Sequence, residues 1–104
     1  MKIDEVIWTS GATADLQEIY GNLDWEKADD LVSRIDASLD LLKAFPERAG
    51  RYKRSNVRRL LVGHRNQYGL FYTITGRRII VAAFVELGGD PELLERLIRS
   101  RTNS

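Results

Sequence analysis

The sequence contains no cysteine, one histidine and two prolines. Without cysteine there is no disulfide framework, no thiolate metal site and no thiol nucleophile. A single histidine rules out a multi-histidine metal cluster. No run approaches the roughly 18 apolar residues that a membrane span needs. The opening residues, MKIDEVIW, turn acidic within five positions and lack the apolar stretch of a secretory signal, so the expected address is the cytoplasm. The Gly88-Gly89-Asp90-Pro91 stretch lacks the lysine and the spacing of a phosphate loop. Ser10, Ser33, Ser38 and Ser55 have no credible triad with the lone His64. Asp29, Asp30, Asp36 and Asp40 read as a solvated helix face, so no metal and no cofactor are expected.

What the chain does contain is an ordinary globular composition, 104 residues at 43% hydrophobic and 30% charged. One domain over residues 1–104 is expected, burying roughly two-thirds of its unfolded surface. The net charge of +1 is unevenly spread. Residues 1–50 hold eleven acidic and five basic side chains, net −6, and residues 51–104 hold four and eleven, net +7. Such a division suits contact with a nucleic acid or another protein.

Lys2 to Trp8 alternates as a short strand, and Thr9-Ser10-Gly11 signals a helix start. Ala12, Leu16, Ile19 and Tyr20 recur at helical spacing up to Gly21. Asp24 is the expected cap of a longer helix, whose stripe runs through Ala28, Leu31, Val32, Ile35, Leu39, Leu42 and Phe45. That helix must stop before Pro46. A polar, basic connection over 47–56 leads to a strand over 57–62 and a turn over 63–67. The aromatic and β-branched run 68–75 is the next strand, and the apolar run 79–85 is the central one. Asp90 caps a last helix with Pro91 at its first position. The expected class is two-layer α+β: an N-terminal strand, a helical hairpin packed on a small antiparallel sheet, and a short C-terminal helix.

Several local signatures carry a resemblance. Leu39, Leu42, Phe45 and Pro46 precede Gly50-Arg51; Val57-Arg58-Arg59-Leu60-Leu61-Val62 precedes Tyr68 and Leu70-Phe71-Tyr72; Ile79-Ile80-Val81 runs on to Val85. In this order, over about residues 3 to 87, they resemble the RelE/ParE superfamily of bacterial toxin–antitoxin (plasmid stabilisation) systems. The resemblance implies a cytoplasmic toxin with a basic sheet face, neutralised by a cognate antitoxin and able to form a homodimer. It also implies one of two targets: the ribosome with its messenger RNA, which RelE-like enzymes cleave, or DNA gyrase, which ParE-like toxins poison.

Carried over position by position, the charged nuclease positions fall on Gly69 and on Leu87, Gly88, Gly89 and Asp90. Glycine supplies no charge, and Asp90 would repel a phosphate. The ParE-like branch, working by binding rather than catalysis, is therefore the leading expectation. A nuclease would have to be rebuilt from Arg59, His64, Arg65 and Arg77, and a degenerate member that only binds antitoxin is the third reading. The expected contact residues for target or antitoxin are Arg51, Arg58, Arg59, Arg65, Tyr72, Arg96 and Arg99, within a surface that includes the 88–104 segment. A groove between the sheet and the second helix is the expected seat for part of the antitoxin.

Overall fold

The computed structural model describes residues 2–102; Met1, Asn103 and Ser104, the last two part of the expected contact segment, lie outside the described residues. The elements are β1 (Glu5–Trp8), α1 (Ser10–Gly21), α2 (Trp25–Ala44), β2 (Arg58–Val62), β3 (Tyr68–Thr75), β4 (Arg78–Glu86) and α3 (Pro91–Thr102). Local chemistry sets their ends. The Thr9 hydroxyl accepts from the Ala12 amide at the start of α1, and the Asp24 carboxylate accepts from the Lys27 amide at the start of α2. The Asp90 carboxylate accepts from the Glu92 amide ahead of α3. Phe45 leaves helical geometry as α2 meets Pro46. Asp24→Ala is expected to cost about 1 kcal/mol, measurable by urea unfolding; no loss would mean that the cap is not holding α2.

The sheet order is β1-β4-β3-β2. β2, β3 and β4 form the expected antiparallel meander, and β1 joins β4 in parallel, so the sheet is mixed. β4 lies between two partners and is apolar on both faces, which explains its unbroken hydrophobic run. The α1–α2 hairpin packs on one face through Leu31, Ile35 and Leu42, against Leu70, Tyr72, Ile79, Val81 and Phe84. The space between α2 and the sheet is thus filled with side chains, which closes most of the expected groove. What stays open is a cleft of about 320 Å³ at its end, lined in part by Lys27, Arg34, His64 and Tyr68. On the opposite face, Ile98 of α3 covers Val57, Phe71 and Ala83.

A β-bulge makes this two-sided packing work. Phe71 lies opposite Ala83 and Tyr72 opposite Val81, so Ala82 has no partner on β3. The extra residue shifts the alternation along β4. Ile79, Val81 and Phe84 consequently all face the hairpin, while Ala83 faces α3.

Candidate functional site

Two of the expected contact residues take part in an internal fastening, and for Tyr72 the structure corrects the assignment. Tyr72 is fully buried, and its hydroxyl donates to the Pro46 carbonyl at 2.7 Å. Burial pushes this phenol's pKa above its ordinary value, with Arg58 opposing. Arg58, opposite Tyr72 on β2, donates through Nη1 to the carbonyls of Ala49 (2.6 Å) and Glu47 (3.2 Å). Arg58 and Tyr72 together clasp the exit from α2. The clasp leaves the fully buried Tyr72 out of a partner's reach, contrary to the sequence reading, whereas half-buried Arg58 commits only Nη1.

The residues suggested for a rebuilt nuclease do not converge. Arg59 points to the α3 side of β2, with its guanidinium 6.0 Å from the centre of the Tyr52 ring. His64 and Arg65 sit in the β2–β3 turn, where Arg65 and Asn66 both have φ of 56°. Arg77 lies in the β3–β4 turn beside Asp4, 4.0 Å away. β3 has eight residues, so its two ends, which carry those turns, are roughly 25 Å apart. General acid–base chemistry needs its groups within hydrogen-bond reach of one reacting centre. Gly69, which takes a charged nuclease position, is buried, and a Cβ there would come within 2.9 Å of the Phe71 ring. Close packing, rather than chemistry, accounts for this glycine.

What the fold does gather is a cationic face on the α3 side. Arg59, Arg96 and Arg99 are exposed there, joined by Lys53 and Arg54 from the 47–56 connection. Lys53 Nζ and Arg99 Nη2 each lie 3.1 Å from a different oxygen of Glu95. The Lys53 hydrogen bond, with help from Arg99, holds the Glu95 carboxyl below its usual pKa. Tyr52 stands edge-on to Phe71, with centroids 5.1 Å apart, and props the connection against the sheet. Arg51 is exposed on the same connection, bridged to Arg58 at the edge of β2. Arg65 is exposed on the remote turn and stays outside this face. Lys53 and Arg54 are legible in the sequence only as part of a basic stretch; the partner of Lys53 on α3, Glu95, is 42 residues away.

Apolar side chains flank the cations, with Leu61 41% and Leu93 60% exposed. Leu93 also lines a cleft of about 260 Å³ with Val85, Leu87 and Leu97. Exposed hydrophobic groups next to arginines are the composition of a protein-binding surface. The outward side of α2 has the opposite sign: Asp29, Asp36 and Asp40 are exposed, alongside Val32 and a Trp25 that is 76% exposed. Among the described residues there is no group of three or more His, Asp or Glu side chains that could hold a metal ion. No helix among them is long and apolar enough to cross a membrane.

The profile of the family described as "ParE toxin of type II toxin-antitoxin system, parDE" matches residues 6–86. Among solved structures, the chain is similar to one described as "Chromosomal ParDE TA system from P. aeruginosa". That match has a TM-score of 0.65 and 26% identity, and covers 81% of this chain and 96% of the other. No curated protein matches.

Proposed function

The chain belongs to the ParE toxin family of type II toxin–antitoxin systems, and on that premise we propose that it acts in the cytoplasm by gripping DNA gyrase and is silenced by a cognate antitoxin. The observation that carries this reading is the α3-side face, which exposes Arg59 and Arg96 together with Leu61 and Leu93. A binding toxin needs such a surface and needs no convergent acid, base and phosphate clamp. An antitoxin that wraps the chain would meet two surfaces of opposite charge, the acidic outer side of α2 and the cationic face of the sheet and α3. Complementary charge of this kind speeds encounter and selects partners.

Purified protein is expected to inhibit supercoiling by gyrase. Arg59→Glu combined with Arg96→Glu should weaken that inhibition by about tenfold or more, with the melting temperature unchanged. Full gyrase activity at excess toxin would remove the gyrase assignment. Cuts in messenger RNA on purified ribosomes, lost in His64→Ala or Arg65→Ala, would put a nuclease in its place.

A further inference from the structure

A cleft of about 570 Å³ opens between residues 52–57 and α3. Its walls bring Lys53, Arg54 and Arg99 around a single carboxylate, Glu95. Each Glu95 oxygen serves one cation, Lys53 on one side and Arg99 on the other. Arg54 has no carboxylate within ion-pair distance among the described residues. Lys53 itself has φ of 53°, a left-handed conformation that a lysine seldom adopts. Behind the charges the lining is apolar and aromatic, from Val57, Ile98 and Tyr52.

We propose that this cleft is a binding site for a phosphate-bearing nucleotide group, and that Glu95 is the internal stand-in which the phosphate displaces. The charge count favours phosphate over another carboxylate. A carboxylate ligand would offer these cations no more than Glu95 already does, and Glu95 is tethered beside them. A terminal phosphate carries more charge and three strong acceptor oxygens, enough to engage Lys53, Arg99 and the spare Arg54 together. The Lys53 and Arg99 side chains are 53% and 67% exposed, and ion pairs so exposed contribute little, so giving up Glu95 costs little. A base or sugar would lie against Tyr52, Val57 and Ile98, and the volume falls within the range of small-molecule sites. The proposal does not depend on the gyrase reading, because it is measured on the isolated chain.

The test is a titration of the full-length ¹⁵N-labelled protein, in separate arms, with inorganic phosphate, with AMP and with a single-stranded oligonucleotide. Saturable shifts are expected at the amides of residues 53–57 and 95–102. The Lys53→Ala, Arg99→Ala double variant should bind about tenfold more weakly, while Glu95→Gln should bind about threefold more tightly, since it removes the competing charge. Supercoiling inhibition by Lys53→Ala, Arg99→Ala, measured alongside, keeps the two readings separable. AMP binding above phosphate assigns a free nucleotide as the source, and an oligonucleotide binding above AMP with a steep salt dependence assigns a nucleic-acid backbone. The proposal is overturned if none of the three saturates, if acetate at equal ionic strength gives the same shifts, or if Glu95→Gln binds no more tightly.

Discussion

Replacing Arg101 with alanine is expected to lower the free energy of unfolding by about 2–4 kcal/mol, an unusually large effect for a residue in the last turn of a C-terminal helix. Its guanidinium makes two parallel bonds to Asp15 on α1, both 2.9 Å, and a third of 3.0 Å to the carbonyl of Ala82. Asp15 also accepts from the Phe84 amide at 3.1 Å. β1 ends at Trp8, opposite Val81, so the edge of β4 beyond that point has no strand beside it. The ion pair supplies the missing partners, one on each side of the bulged Ala82–Ala83 step. Gly11 makes the room: a Cβ there would lie 2.8 Å from Arg101 Nη1.

Breaking a fully buried pair costs about 3–5 kcal/mol. The Arg101 and Asp15 side chains are 24% and 16% exposed, and this partial solvation places the estimate somewhat lower. Asp15→Ala should cost a similar amount, and the double variant clearly less than the sum. Arg101→Lys should recover little, because an ammonium cannot present two parallel donors. Chemical unfolding reads the loss, and hydrogen exchange should show the α3 amides opening first. A loss below about 0.5 kcal/mol, the range of an ordinary surface change, would show that α3 is held by Ile98 and its apolar neighbours alone.

Tyr72→Ala is expected to be costlier, at about 3–5 kcal/mol. The side chain has no exposed surface, so truncation leaves a cavity in the main core. Tyr72→Phe isolates the polar part: the ring stays while the Pro46 carbonyl loses its donor, a cost of about 1–2 kcal/mol. The same group ties stability to alkaline pH. Burial raises the pKa of Tyr72, and also those of Tyr20 and Tyr68, above the ordinary tyrosine value. Above about pH 10 the unfolded chain releases phenolic protons that the folded chain keeps, so stability falls as pH rises from there. Tyr72→Phe should flatten that fall. An unchanged slope between pH 9 and 11 would contradict the hydroxyl's assigned role, as would a stability equal to that of the parent.

Much of the local structure was readable in the residues. Tyr68–Thr75 is a strand with the expected bounds, Asp24 and Asp90 cap the helices they were expected to cap, and α2 ends where Pro46 requires. The family signature in the order of elements also lay on the sequence. Arg59, Arg96 and Arg99 were legible as candidates for the exposed face. Tyr72 was misread because a sequence shows that a side chain is aromatic, and not whether it is buried with a carbonyl within reach of its hydroxyl.

Helical and strand periods arise between near neighbours, so the chain alone determined its elements, the opposite charges of its two halves and most element ends, although the strand expected from Lys2 begins at Glu5. Only tertiary structure decided the parallel docking of β1, the bulge that turns Phe84 toward the hairpin, and the bond between Asp15 and Arg101 across 86 residues. It also decided which cations share a surface, with Lys53 meeting Glu95 across 42 residues. Those features depend on which backbone groups are left unpaired once the sheet has formed and on which side chains can span the gap, and neither quantity exists before the chain has folded.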